Sequence, residues 1–393
     1  MNENETTRPA VFQTGSLLTG AVACLALLLF AHQAGTARLL LAAAIGLLAG
    51  VALYHASFGF TSAWRSFVFE GRGAGLRAQI LLILLTCAIA FPLIGSQGLF
   101  GRPISGAVAP FGYAAALGAF LFGIGMQFGG GCASGTLFTA GGGNTRMLAT
   151  LTGFIAGSVI ATAHLPFWWS LPALPAFSLV DRFGALLAFA ITAFVLGSIY
   201  YFTRHREIAR FGELEAGPRN VSLIRGPWPK SWGCIALAAV GIATLFVLSR
   251  PWGITSAFTL WGGKIAQAGG LPLQEWPYWS ARTAWLNQSV FADSTSVMNF
   301  GIIIGAFVAA CLAGRFVPNW NIGRRDLIVA ICGGLLMGYG ARLAYGCNIG
   351  AYLGGVISGS LHGWGWLVFG FMGSSLGAYL MMRLKPSHAA RNA

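Results

Sequence analysis

Two cysteines are the residues best placed to do chemistry. Cys132 lies in GAFLFGIGMQFGGGCASG (residues 118–135), and Cys347 lies in GGLLMGYGARLAYGCNIG (residues 333–350). Gly118, Gly123, Gly125, Gly131, Cys132 and Gly135 match Gly333, Gly338, Gly340, Gly346, Cys347 and Gly350 at a constant offset of 215 residues. A glycine-rich chain yields some matches by chance, but six in one ungapped register that includes a cysteine mark a repeat. Residues 132–140 and 347–356 are too short to cross a bilayer, so they are tolerable at depth only when buried in protein or lining a cavity. They read as re-entrant half-helices with the backbone N–H groups of residues 133–135 and 348–350 free at their starts, an arrangement that attracts anions. A thiol placed there is a weak donor to an anion and a soft partner for sulfur. The other cysteines, Cys24, Cys87, Cys234, Cys311 and Cys332, read as small apolar packers. No CxxC pair, zinc spacing or disulfide framework is present.

Other polar groups cluster near the repeat. Arg342 lies five residues before Cys347, and its counterpart at the same offset is Gln127. An ionisable residue within a span is a functional candidate, although a structural arginine bonded to half-helix carbonyls is the alternative. A second pair of related segments, GFTSAW from Gly59 and GITSAF from Gly253, precedes each cysteine motif. Thr61, Ser62, Thr255 and Ser256 either offer hydroxyls to a path or bond their own helix backbone. His362, in SGSLHGW, reads as an interfacial residue at the end of the last span. No carboxylate falls within the apolar runs, which argues against a carboxylate proton relay.

The elements that must position these groups follow from composition. Of 393 residues, 9% are charged and 56% hydrophobic, with a mean hydropathy of +0.71; soluble domains carry roughly a quarter charged residues. The 56 glycines follow no Gly-X-Y period, so collagen is excluded. The fold class expected is an all-α polytopic membrane protein. Ten uncharged runs approach spanning length: 16–32, 39–58, 78–95, 111–128, 147–163, 183–202, 232–248, 297–314, 327–341 and 364–382. The net charge of +14 is a topology signal rather than a nucleic-acid footprint, because no soluble segment is large enough to gather it on one face. Residues 1–15 lack a basic region and a small-residue cleavage site, so a cleaved signal peptide is not expected.

With the amino terminus in the cytoplasm, the inside segments hold 17 basic residues. These are Arg8; Arg65, Arg72 and Arg77; Arg146; Arg204, Arg206, Arg210, Arg219, Arg225 and Lys230; Arg315, Arg324 and Arg325; and Arg383, Lys385 and Arg391. The outside keeps six: Arg38, Arg102, Arg182, Arg250, Lys264 and Arg282. Both termini are therefore expected in the cytoplasm, with the Trp- and Pro-rich residues 165–180 as an outer interfacial loop. By this count the spans leading into Cys132 and Cys347 run in opposite directions. The expected organisation is a first inverted repeat (1–202), a cytoplasmic linker loop (203–231) and a second inverted repeat (232–393). Five-span inverted repeats with glycine-interrupted segments at matching positions point to a transport site near the midplane.

At GYGARLAYGCNIGAYLGGVISGSLHGW (residues 338–364), FGGGCASGTLF (128–138) and FGFTSAWR (58–65), the chain resembles the YeeE/YedE sulphur-transport family of bacterial inner-membrane proteins. The resemblance implies an hourglass-shaped, pseudo-twofold helical fold with cysteines along a narrow central path. It implies import of thiosulfate or a related sulfur or selenium compound, and in some members a small cytoplasmic TusA-like sulfur carrier as partner. The family pattern carries over Cys132 and Cys347. It also expects a third cysteine where this chain has Gly59, an arginine at His55 and an aspartate at Ser66. A three-cysteine relay is therefore not carried over, and neither is the identity of the substrate.

The function expected is uptake of a small sulfur-containing anion across the lipid bilayer, by a transporter rather than an enzyme and with no cofactor. Cys132 and Cys347 would be successive contacts; Arg342, Gln127, Gly131, Gly135, Gly346, Asn348, Gly350, Gly59 and the four hydroxyl residues would line the path. The alternative is a membrane thiol-disulfide oxidoreductase using Cys132 and Cys347 as a redox pair. The topology is testable: a cytoplasm-only reporter fused within residues 204–230 or after Arg383 is expected to be active, and one within 165–180 silent. The reverse pattern overturns the orientation.

Overall fold

The computed structural model describes residues 13–384 apart from 36, 97 and 99–101. Most of the polar amino-terminal stretch lies outside the described residues, as do Arg8, Lys385 and Arg391. The helices, in chain order, are α1 (Thr14–Gln33), α2 (Ala37–His55), α3 (Phe60–Arg65), α4 (Ala74–Gly95), α5 (Tyr113–Gly129), α6 (Ala133–Gly141), α7 (Arg146–Trp169), α8 (Leu179–Phe211), α9 (Lys230–Leu248) and α10 (Thr255–Ala268). After two short helices, α11 (Pro277–Ser280) and α12 (Thr283–Asn287), come α13 (Ser294–Leu312), α14 (Arg324–Leu343), a π-helical turn Asn348–Leu353 running into α15 (Gly354–Val356), and α16 (Leu361–Leu384). Ten stretches are long and apolar enough to span a bilayer; eight of the ten predicted runs fall wholly within one of them, while 111–128 begins two residues before its span and 297–314 ends two residues after its own. Among the described residues, strand is confined to a two-residue ribbon, β1 (Phe111–Gly112) antiparallel to β2 (Ala173–Leu174).

Two details differ from expectation. The stretch read as a loop from residue 165 is helical as far as Trp169, where Leu165 is buried and Trp168 Nε1 donates to the Tyr339 hydroxyl at 2.8 Å. Helix α8 continues to Phe211, into the stretch read as linker. Its extension is held by Glu207, which is fully buried and accepts from Arg77 Nη2 at 2.7 Å and Arg72 Nη1 at 3.3 Å. The same carboxylate accepts from the backbone N–H groups of Gly73 (3.0 Å) and Glu215 (2.8 Å). A carboxylate with four donors is satisfied where an isolated one would be expelled. Sequence periodicity could not find it, since three of its four partners, Arg72, Gly73 and Arg77, lie more than 100 residues away in the chain.

Glycines set the helix packing. Helices α5 and α14 cross so closely that a Cβ on Gly118 would sit 2.7 Å from the Gly340 carbonyl oxygen, and one on Gly340 would sit 2.4 Å from that of Gly118. The second contact of the crossing is Gly125 against Gly333, at 2.7 and 2.8 Å to the facing carbonyl oxygens. These two contacts exchange when the 215-residue offset is applied. Other contacts pair off in the same sense. Helix α7 lies on α14 through Gly153, Gly157, Gly334 and Gly338, and α16 lies on α5 through Gly123, Gly373 and Gly377. Likewise α2 packs on α13 and α9 on α4, while α1 packs on α13 and α8 on α4. With no hydrophobic drive between helices in lipid, such close backbone approach supplies the van der Waals contact that associates them.

Cys332 does not pack in the interior as expected; it is exposed on the outer surface of α14, whereas Cys87, Cys234 and Cys311 are buried and Cys24 is partly so. An apolar thiol on a lipid-facing surface satisfies composition as well as a buried one does. The glycine crossing carries a test. Gly340→Ala is expected to lower the unfolding midpoint of the detergent-purified protein by an amount equivalent to about 1–3 kcal/mol, the cost of overpacking. Gly197→Ala, whose Cβ meets nothing within 4 Å, is expected to leave it unchanged. Equal midpoints would remove the crossing as the determinant of packing.

Candidate functional site

Each cysteine sits where a helix stops and restarts. Helix α5 ends at Gly129, and Gly130 takes a left-handed conformation (φ 86°) that turns the chain. Cys132 is the N-cap of α6 (φ −74°, ψ −171°). In the second motif Tyr345 (φ 62°) occupies the position matching Gly130, followed by Gly346 (φ 153°), and Cys347 caps the π-helical turn. A β-carbon is strained in the left-handed region, so the tyrosine there is the costlier of the two turns. The Cys132 carbonyl accepts from Thr136 N (2.8 Å) and Thr136 Oγ1 (2.9 Å), and that of Cys347 from Ala351 N (2.8 Å). Cys132 Sγ lies 3.3 Å from Ser134 Oγ and faces the N–H groups of Gly135, Phe60 and Ser134. The Cys347 thiol faces the N–H groups of Gly350 and Ile349. The expected free amides are thus gathered around the sulfurs.

The side chains matched by the repeat hold matching positions. Gln127 Nε2 donates to the Thr61 carbonyl oxygen (3.1 Å) and to Ser374 Oγ (2.8 Å). Arg342 Nη2 donates to Thr255 Oγ1 at 2.7 Å. Gln127 Oε1, Thr61 Oγ1, Arg342 Nε and both side-chain polar atoms of Asn348 are buried without a protein partner. An unpaired buried polar atom costs about 1–3 kcal/mol, so five of them around two thiols mark a place suited to a polar ligand. Ser62 Oγ bonds its own backbone at the Gly59 carbonyl (3.3 Å), and Ser256 Oγ bonds Thr295 Oγ1 (3.3 Å). His362 is buried rather than interfacial, with Nδ1 2.7 Å from Ser360 Oγ; the inward packing of α16 on the second half-helix encloses it.

Two cavities flank the half-helices. One, about 100 Å³, is lined by Gly59, Ser62, Gln79, Arg72 and Lys230 among others. The other, about 310 Å³, is lined by Gly253, Thr255, Ser256, Arg342, Gly346 and Gly350, and also by Arg250 and Trp252. Arg250 donates to Ser294 Oγ and Thr295 Oγ1, both at 2.9 Å. Burial pulls its pKa below the usual arginine value and the Asp293 carboxylate pushes it back up; a guanidinium remains protonated under such opposing effects. Neither thiol borders either of these two cavities, and neither do Thr61, Gln127, Gly131, Gly135 or Asn348.

Between the cavities runs an aromatic belt. Phe60 and Trp64 of α3 each meet Tyr352 edge-on with ring centroids 6.2 Å apart, and Tyr352 stacks on Trp366 at 6.2 Å. Trp366 meets Phe122 (5.4 Å), Phe122 meets Phe154 (6.0 Å), and Phe154 meets Phe258 of α10 (4.9 Å). Sequence reasoning missed this belt, because its rings come from α3, α5, α7, α10, the half-helix and α16. It also missed Arg250, Trp252, Arg72, Gln79 and Lys230. The RPWG run immediately before ITSA was the available signal for the first two.

Comparison with known proteins agrees with this architecture. The family described as Sulphur transport matches residues 55–376. A protein named "Thiosulfate transporter TsuA" from Spirochaeta thermophila is 29% identical over 367 residues, covering 86% of this chain and 98% of its own length. The Escherichia coli protein of the same name is 23% identical over 356 residues, covering 88% and 95%. "Probable transporter YedE" of Escherichia coli is 34% identical over 153 residues, and the match spans only 38% of each protein. Ten candidate spans, two cysteine-capped half-helices and a match running through both lead to one assignment: the chain belongs to the Sulphur transport family.

Proposed function

We propose that this chain imports a small sulfur-containing anion, thiosulfate being the first candidate, by way of the two half-helix starts. The observation that carries the reading is the placement of Cys132 and Cys347 at the half-helix starts, each facing backbone N–H groups, with Gly346 and Gly350 beside the second on the wall of a cavity holding two arginines. Relatives named as thiosulfate transporters, matched over nearly their whole length, support it. A dianion entering low dielectric loses its hydration at a cost of many kcal/mol. Arg250 and Arg342 offset that cost at the wider cavity, and the half-helix amides do so at depth. Thiols suit the narrow part as S–H donors with polarizable sulfur, whereas two thiolates would repel the anion.

The packing contacts that exchange under the 215-residue offset support two inverted repeats, and the basic-residue count supports cytoplasmic termini in the bacterial inner membrane. In that orientation the Arg250–Arg342 cavity opens outward and the Gly59 cavity inward, where a TusA-like carrier would receive the sulfur. Radiolabelled thiosulfate uptake into proteoliposomes tests the reading, with sulfate, sulfite and selenite as competitors; the import proposal fails when none enters or competes. A reducible Cys132–Cys347 disulfide in the purified protein that exchanges with a dithiol partner would instead establish the oxidoreductase reading.

Cys132→Ser and Cys347→Ser are each expected to cut uptake at least tenfold while purifying with unchanged size-exclusion profiles. Full uptake in both variants would leave the amides and Arg342 as the only path groups. At Gly59 the only atoms near an added Cβ are Ser62 Oγ at 2.8 Å and Ser62 Cβ at 4.0 Å, so a rotation of Ser62 makes room. Gly59→Cys is therefore expected to fold and to raise thiosulfate uptake by adding a third thiol. A block of uptake would show that the native substrate needs the space glycine leaves.

A further inference from the structure

On the Gly59 side of the molecule, two larger cavities adjoin one another away from the cysteines. One, about 350 Å³, is lined by His55, Ser57, Thr139, Asn144, Arg225 and Arg315 among others. The next, about 490 Å³, shares Arg225, Pro227, Ala313 and Arg315 with it and adds Arg219 and Asn220. Together they form one cleft with three arginines and, among the described residues, no carboxylate on its walls.

The helix ends that meet at this cleft do not draw on Arg219 or Arg315. After α6, Gly142 N and Gly143 N bond the carbonyls of Phe138 and Ala140. After α13, the N–H groups of Ala313, Gly314 and Arg315 bond those of Ala309, Cys311 and Ala310. The last carbonyls are thus capped by backbone. Arg219 and Arg315 are exposed at the rim. His55 supplies the independent observation. It is 4% exposed, lies between the rings of Tyr54 (5.9 Å) and Trp228 (5.4 Å), and its Nε2 is buried with no partner. Gly226 (φ 61°) brings the linker backbone against the ring, since a Cβ there would sit 2.6 Å from His55 Nδ1. A buried ring nitrogen left unpaired beside two exposed guanidinium groups is half of a binding site.

We propose that this cleft binds a tetrahedral oxyanion, separately from the cysteine path. Arg219 and Arg315 supply charge-assisted donors, and Asn144 and Thr139 supply neutral ones. His55 Nε2 accepts from a protonated oxyanion or, when protonated itself, donates to an ionised one. The ligand is a free phosphate- or sulfur-type oxyanion or the phosphate of a lipid headgroup. Ser57 lines this cleft and the Gly59 cavity alike, so the site is placed to sense or bias the inner end of the path. It does not depend on the direction or substrate of transport.

Trp228, next to His55, is the natural reporter. The full chain is labelled with 5-fluorotryptophan in nanodiscs of phosphatidylcholine, its Trp228 resonance assigned by loss in Trp228→Phe, and titrated with inorganic phosphate and then with thiosulfate. A saturable shift is expected, weakened at least tenfold in Arg219→Gln/Arg315→Gln and retained in Cys132→Ser/Cys347→Ser. In nanodiscs containing phosphatidylglycerol, a shifted resonance before any addition, not displaced by phosphate, identifies the lipid as the source. Competition by phosphate identifies the free anion. The proposal is overturned when no saturable shift occurs in either lipid, when the shift survives the arginine variant, or when it disappears with the two cysteines. Loss with the cysteines would place the ligand on the transport path, and failed uptake alone would leave this site standing.

Discussion

Every backbone N–H and C=O inside a bilayer must be paired, and this chain breaks two helices there. The rest of the architecture makes those breaks affordable. The carbonyl of each capping cysteine is bonded within its own half-helix, and the amides that remain face a sulfur. What surrounds the breaks is protein rather than lipid, because α5, α7, α14 and α16 approach one another at backbone distance through Gly118, Gly123, Gly338, Gly340 and Gly373. The glycine content that makes the composition unusual is thus a packing requirement. A larger side chain at the crossing would separate the helices and leave the half-helix ends in hydrocarbon.

The two halves share geometry but differ in polarity. At matched positions stand Gln127, bonded to the Thr61 backbone, and Arg342, bonded to the Thr255 hydroxyl. The first is neutral and sits against the tight Gly59 side; the second is charged and faces the wider cavity beside Arg250. The position filled by a neutral amide in one half is thus filled by a guanidinium in the other, beside a second arginine on the same cavity wall. Stacked and edge-on rings from six elements close the middle with apolar surface while leaving a few unpaired polar atoms next to the thiols.

Outside the spans, the chain uses a buried charge network for a different purpose. Glu207 draws Arg72, Arg77, Gly73 and Glu215 together and so ties the end of α8 and the start of the linker to α4. Removing one member would strand the others in a dry site, a loss of roughly 3–5 kcal/mol for a buried pair. The linker so anchored supplies the walls of both the Gly59 cavity, through Glu215 and Lys230, and the arginine cleft, through Arg219 and Arg225.

Much of this protein was legible in its residues alone. Spans follow from uncharged runs, since hydropathy is a local property and lipid tolerates little else, and each of the ten runs overlaps its own candidate span. The half-helices at Cys132 and Cys347 followed from their glycine-bounded shortness, and the pairing of Gln127 with Arg342 from a constant offset. Contacts between distant segments were out of reach. Arg250 looked like a loop arginine until α13 brought Ser294 and Thr295 to it. Glu207 looked like part of a soluble linker until α4 supplied two guanidinium groups. The aromatic belt has no sequence period because its rings come from six separate elements. Local composition determines which segments enter the membrane and where they break. Which side chains then meet depends on helix crossings, and these are decided by backbone approach distances that only the assembled fold contains.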